Sequence, residues 1–189
     1  MQQHATYVGT SFSAQNRLKR ILWAVVSGIF FRWSPRPLHG WRSFLLRCFG
    51  AKVGKGVLIF PLVKVWAPWN LDLRYECVIA NRVNLYSQGK ITIGCQAIIS
   101  QGVHICAGTH DYNKPDFPLV TSPIYIDDQA WVAAEAFIHP GVKIGKGCVV
   151  GARSVVTKDM PEWMVCAGFP CKPIGVRNNV SLKEYKAFV

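Results

Sequence analysis

Acidic residues are scarce in this chain of 189. Ten aspartates and glutamates stand against twenty-two lysines and arginines, a formal net charge of +12, and charged residues make up only 17% of the total. Half of the residues are apolar. A composition this poor in charge excludes a disordered, solvating chain and supports one domain with a full core. The positive balance points to an anionic partner (a phosphorylated cofactor, nucleic acid or a membrane surface) or to a solvated basic face with no specific partner. The chain has no recognisable nucleic-acid-binding motif, so nucleic acid is not expected. It also has no CxxC pair among its seven cysteines, and their odd number speaks against a disulfide framework. They read as reduced core thiols of a cytoplasmic protein.

A membrane-spanning run is missing too. Ile21 to Phe31 reads ILWAVVSGIFF, eleven residues, where roughly 20 are needed to cross a bilayer. Arg17, Lys19 and Arg20 precede it and Arg32 follows it. Arg32-Trp33-Ser34-Pro35 offers no small-residue cleavage site of the kind a signal peptide needs. The stretch reads as a helix, either buried or lying in a membrane interface.

What the chain does have is a period of six. Ile126, Val132, Ile138, Ile144, Val150 and Val156 are all aliphatic, as are Leu73, Ile79 and Leu85 and, after two extra residues, Ile93, Ile99 and Ile105. Four positions beyond each stands a mostly small residue: Cys77, Val83, Gly89, Ala97, Val103, Thr109, Ala130, Ala136, Val142, Cys148, Ser154 and Met160. Glycine, alanine or aspartate often follows the aliphatic residue, as in Ile93-Gly94 and Ile144-Gly145. Glycine there suits a tight turn at positive φ. Six is the period of neither an α-helix nor an alternating strand. It fits a coil in which each unit supplies one short strand and one corner, and successive coils stack into parallel sheets around an apolar interior. A weaker run, Val53, Ile59, Val65 and Leu71, places the start of the coil near Val53. Before it, helices are expected over 15–31 and 38–49, separated by Pro35 and Pro37, with Gly50 ending the second. The resulting division is a helical segment 1–52, a coil 53–177 and a tail 178–189.

The repeat is broken once, by 111–125 with Pro115, Pro118 and Pro123. A long loop in a regular coil is usually functional. His110 stands at its root, in Gly108-Thr109-His110-Asp111-Tyr112, where an imidazole could take a proton from a hydroxyl at neutral pH. A solvated corner histidine would read the same way. Asp111 adjoins it, but neighbours in sequence seldom face each other.

The repeat, the loop after His110 and the tail Ala167-Gly168-Phe169-Pro170-Cys171-Lys172-Pro173 resemble the left-handed β-helix acetyltransferases, the hexapeptide-repeat superfamily of galactoside, maltose and Nod-factor O-acetyltransferases. Pro35-Arg36-Pro37-Leu38-His39-Gly40-Trp41-Arg42 and Pro68-Trp69-Asn70-Leu71 narrow the likeness to the colanic-acid-type exopolysaccharide O-acetyltransferases. The likeness runs from about Gln15 to Arg177. It implies an all-β, left-handed parallel β-helix, a homotrimer with active sites between subunits, acetyl-CoA as co-substrate, no metal, and a sugar or lipid-linked saccharide as acceptor. It also implies a cytoplasmic enzyme, at most peripheral at the inner face of the membrane.

By the same resemblance His110 is the general base, and a backbone N–H near Ala134 meets the thioester. Trp131 flanks the cofactor channel or packs at a trimer interface. Ala152, Thr157, Lys158 and Lys172 line the coenzyme A site. A family arginine is Gly175 here, and Arg177 is the candidate to replace it. Asn84 corresponds to an acceptor-binding asparagine, with Tyr86 in competition. Two other readings remain at this stage. One is a γ-carbonic-anhydrase-like zinc enzyme on the same coil, with His104, His110 and His139 as available ligands. The other is a non-catalytic basic scaffold.

Overall fold

Six residues make a short strand and a corner, and three such units close one coil. The computed structural model, described over residues 12–178, has this architecture; residues 1–11 and the expected tail beyond Asn178 lie outside the described residues. The first coil carries β1 (Lys52–Val53), β2 (Leu58–Ile59) and β3 (Lys64–Val65), and the second β4 (Leu71–Leu73), β5 (Val78–Ile79) and β6 (Asn84–Tyr86). The third carries β7 (Ile91–Ile93), β8 (Ile98–Ile99) and β9 (His104–Cys106). A hairpin, β10 (Gly108–His110) and β11 (Leu119–Thr121), then leaves the coil. The fourth coil follows with β12 (Ile124–Ile126), β13 (Trp131–Val132) and β14 (Phe137–Ile138), and the fifth with β15 (Lys143–Ile144), β16 (Val149–Val150) and β17 (Val155–Val156). Met160 bridges to Ile144 to begin a sixth, which ends in β18 (Met164–Gly168) and β19 (Cys171–Val176).

The first strands of successive coils stack into a five-stranded face, the second strands into a seven-stranded face and the third strands into another five-stranded face. The stacking is parallel, and the seven-stranded face ends on β19, which runs antiparallel to β18. None of the twelve periodic aliphatic residues is more than 1% exposed, so the period of six is the period of the core. The phase slips in the first three coils fall at the corner between the third and first faces. Gly89 and Thr109 therefore lie outside the repeating unit, and Thr109 is exposed. Ile124 and Tyr125, expected in the loop, already belong to β12.

The expectation of positive φ at the glycines after the aliphatic residue is overturned. Left-handed backbone falls two residues later, at Glu76, Gln96, Gln129, Glu135 and Arg153, with φ from 55° to 60°. The glycines answer instead to the next coil. A Cβ on Gly94 would lie 2.5 Å from the Asp127 carbonyl carbon, and one on Gly54 2.6 Å from the Tyr75 nitrogen. Real Cβ atoms do not approach backbone so closely, so coil spacing fixes these residues.

The helices α1 (Ala14–Val26) and α2 (His39–Cys48) are joined through a π-helical turn, Ser27–Phe31. Ser13 caps α1 by accepting from the Asn16 N–H. Gly50, at φ +88°, ends α2 as expected, with its N–H on Arg47 and that of Ala51 on Leu46. Their placement follows from an unmet need of the coil. At the strands the N–H groups mostly donate to the coil that follows, as Leu58 does to Cys77, so strand carbonyls of the first coil have no strand before them to donate. Side chains of the helical segment fill that role on all three faces. Arg47 Nε donates to Val53 O at 3.0 Å, Arg42 Nε to Ile59 O at 2.6 Å, and Trp23 Nε1 to Val65 O at 2.8 Å. Arg42 is fully buried. Its other nitrogens donate to Ser34 Oγ, Pro35 O and Arg36 O, so four peptide and hydroxyl dipoles converge on one guanidinium.

Candidate functional site

The hairpin bearing His110 rises from the third-to-first corner after the third coil. Its register pairs Gly108 with Thr121, Thr109 with Val120 and His110 with Leu119. His110 is thus in the last paired position before the tip. Asp111 organises the tip: its N–H donates to Pro118 O at 3.0 Å, its Oδ1 accepts from the Asn113 N–H, and its carboxylate lies 3.7 Å from Lys114 Nζ. Phe117, at φ +47°, turns its carbonyl and its ring back onto His110. Nδ1 of His110 lies 2.7 Å from Phe117 O, and the two rings stack at 5.2 Å and 18°. A carbonyl oxygen can only accept, so Nδ1 carries the proton in this bond.

Sequence reasoning missed two residues here. Phe117 left no signal, since nothing in a proline-broken loop marks the residue seven positions after a histidine as its partner. Gln88 could have been suspected, because it sits in the two-residue insertion after Leu85. Its side chain lies where a Cβ of Gly108 would be, and its Nε2 donates to the Tyr86 hydroxyl at 2.9 Å. Gly89 beside it is fixed by space, since a Cβ there would sit 2.9 Å from Ala107 O, at the root of β10.

Tyr86 and Asn84 both lie on β6, half-buried on the outer side of the third face. Gln88 links Tyr86 to the strand that carries His110. Asn84 lies farther back along the face, paired in register with His104. Its side-chain nitrogen is 3.3 Å from His104 Nε2. Burial holds the His104 pKa below its ordinary value of 6.5. The Phe137 ring stands between the rings of His104 and His139, at 4.8 Å and 5.2 Å. Among the described residues no three His, Cys, Asp or Glu side chains converge as a metal site.

The residues expected to line a coenzyme A site are spread over the three corners of the coil and its second face. Thr157 and Lys158 follow β17 at the corner from which the His110 hairpin rises, two coils further on, and both are exposed. Ala134 and Ala152 stack one coil apart at the other edge of the third face, joined by the Arg153 N–H donating to Ala134 O at 2.9 Å. Trp131 projects from the second face, with Nε1 donating to Ser100 Oγ at 2.9 Å. Lys172 is exposed on β19. Arg177 turns away to a third corner, where its Nη1 donates to Gln129 O and Gly147 O, both at 2.9 Å, beside the Trp163 ring. Of the seven cysteines, Cys77, Cys148, Cys166 and Cys171 are buried, Cys48 is exposed, and all are free.

Residues 123–158 match the bacterial transferase hexapeptide family model of six repeats. The chain is 45% identical over 170 residues to a protein named as the colanic acid biosynthesis acetyltransferase WcaF of Escherichia coli strain K12, covering 90% of this chain and 93% of that one. Among solved structures it superimposes on a galactoside acetyltransferase in complex with coenzyme A, with a TM-score of 0.76 and 26% identity over 89% of this chain and 86% of the other. A maltose O-acetyltransferase from Clostridium difficile 630 gives a TM-score of 0.73 and 25% identity, covering 88% and 90%. The coil, the corner hairpin and these relationships lead to one assignment: the chain belongs to the hexapeptide-repeat acyltransferases.

Proposed function

We propose that this protein transfers the acetyl group of acetyl-CoA to a hydroxyl of a sugar or saccharide, with His110 as general base. The observation that carries this reading is the bond from His110 Nδ1 to Phe117 O. It sets the tautomer in which Nε2 can take the hydroxyl proton as that oxygen attacks the thioester carbon. The proton then passes from Nε2 to the departing sulfur, and no acyl-enzyme is required. A backbone N–H at the Ala134 corner opposes the charge that develops on the thioester oxygen.

Ala134 and Ala152 suit a narrow, extended acyl arm, because their methyl groups leave the backbone of that corner approachable. Lys158 and Lys172 supply exposed cations for phosphate groups. His110 and the alanine corner lie on opposite edges of the third face. That separation supports a site completed between neighbouring chains of a homotrimer, the histidine from one and the alanine corner from the next. Asn84 and Tyr86, on the face between, are the residues we assign to meet the acceptor. The colanic acid biosynthesis name of the relative that spans nearly the whole chain favours a saccharide acceptor, and a lipid-linked one would locate the reaction in the cytoplasm at the inner face of its membrane.

His110→Ala tests the reading. Loss of a general base costs about 10²–10⁴-fold in kcat, while coenzyme A affinity, measured by calorimetry, stays close to wild type. A variant keeping more than about half of wild-type kcat removes His110 from the mechanism, given the size expected of such a loss.

A further inference from the structure

The helical segment does more than cap the coil. Leu18, Leu22, Val25 and Ile29 follow one another at helical spacing along α1 and the π-helical turn, and each is more than half exposed. Trp23 and Phe31 are buried on the opposite side. A helix on a soluble domain turns its apolar stripe inward; this one turns a second stripe outward. The stripe continues onto α2, because Trp41 donates from Nε1 to Phe30 O at 2.9 Å and its ring stacks on Phe44. Apolar surface this continuous marks an interaction site.

Charge identifies the partner. The first acidic residue of the chain is Asp72, and the seventy-one residues before it carry ten lysines and arginines. The remainder holds all ten acidic residues against twelve basic ones, so almost the whole positive excess lies on the helices and the first coil. Arg17 and Lys19 adjoin Leu18 in sequence, which puts them about 100° to either side of the stripe; Arg17 Nε donates to Phe12 O at 3.3 Å, and Lys19 Nζ lies at the longer distance of 6.0 Å over the Trp69 ring. Arg32 follows the π-helical turn, beside Trp33, which is 82% exposed. Arg20 is not part of this rim, for its guanidinium stacks 4.1 Å over the Trp66 ring.

We infer that this face docks on an anionic lipid bilayer, with α1 lying flat in the headgroup boundary. Apolar side chains rimmed by cations and exposed tryptophan are the chemistry of an interfacial helix. Among the described residues no helix is long and apolar enough to cross a membrane. A second copy meeting this face with its own would bring two all-basic surfaces together, which like-charge repulsion opposes. The use of the contact, bringing the site to a lipid-carried acceptor, rests on the acyltransfer reading; the contact itself does not.

Sedimentation of the full-length protein with phosphatidylcholine vesicles, with and without phosphatidylglycerol, tests the inference. Binding is expected only with phosphatidylglycerol and should weaken with salt. Each basic residue near an anionic surface is worth about fivefold in partition, so Arg17→Gln, Lys19→Gln and Arg32→Gln together lower binding on the order of 100-fold. Leu22→Ser with Ile29→Ser lowers it as well, with circular dichroism and the mass by light scattering unchanged. A wild-type protein left in the supernatant at low salt, equal binding to neutral vesicles, or a fall in oligomer mass in the serine variant each overturn the inference. Acetyl-CoA binding is followed by calorimetry in the same variants. Vesicle binding without acetyl-CoA binding would refute the enzymatic reading and leave the docking face standing.

Discussion

Replacing Phe117 with glycine separates the two things this residue does for His110. The carbonyl that accepts from Nδ1 is backbone and survives the change, whereas the ring stacked at 5.2 Å is lost. The backbone holds φ at +47°, a conformation that costs a residue with a Cβ about 1–2 kcal/mol and glycine nothing. Glycine's greater freedom in the unfolded chain offsets about 0.5–1 kcal/mol of that relief. With the lost stack counted as well, stability should stay within about 1.5 kcal/mol of the wild type. Stacking between rings is worth about 0.5–1.5 kcal/mol, so losing it should lower kcat roughly 2- to 12-fold through a less well-oriented imidazole. The KM for acetyl-CoA should not move, since the acyl donor gains nothing from that stack. Release of the free thiol, followed spectrophotometrically at saturating acceptor, measures both constants, and thermal unfolding reports the stability. Phe117→Tyr should behave like the wild type. A glycine variant with unchanged kcat would show that the ring does not orient the base. One as impaired as His110→Ala, with the hairpin intact, would show that the carbonyl bond does not suffice to set the tautomer.

Lys158→Ala should raise the KM for acetyl-CoA about tenfold with little effect on kcat, as expected for a charged contact remote from the reacting atoms; the mutant should no longer distinguish acetyl-CoA from its dephospho analogue, and retained discrimination would exclude Lys158 as the phosphate ligand. Arg42→Met leaves Pro35 O and Arg36 O without their guanidinium donor and Ile59 O with His39 Nδ1 alone, and should destabilise the protein by about 1–3 kcal/mol. Urea unfolding followed by tryptophan fluorescence checks this, and a loss below about 1 kcal/mol would contradict the role given to the residue. Burial disfavours the charged form of His104, so its folded pKa lies below 6.5 and the unfolded chain binds the proton more readily. Its effect is to make stability fall as pH drops below that ordinary value and to add nothing above it. His104→Gln should flatten this part of the stability profile, and an unchanged slope would refute the assignment.

The coil was legible because its core has a period that no other regular structure shares: a residue every sixth position must be aliphatic if it is to fill the interior, as Ile99 and Val132 do. The glycines were read from the wrong cause. Gly94 is needed by the coil stacked above it, and a contact between residues thirty-odd positions apart leaves no local mark. His110 stood out because it interrupts the period, whereas its partner Phe117 did not, because it lies where the period has already lapsed. Arg42 was visible only as part of a resemblance. That it is a buried cation without an acidic partner becomes clear only when the carbonyl of Ile59 is seen to end a ladder. Arg177 followed the same rule in reverse, its charge being used within the fold on Gln129 and Gly147.

A stack of parallel strands has no intrinsic length, and two such stacks placed end to end would join into a filament as readily as one grows. Both termini of this one are made unlike the middle. At one, Arg47, Arg42 and Trp23 occupy the acceptors that another copy's strands would need. At the other, β19 reverses direction and presents Lys172 and Pro173, a cation and a residue with no N–H to give. The chain therefore counts its own coils. Removing the helical segment would take away that stop, and the truncated protein would be expected to polymerise along its axis.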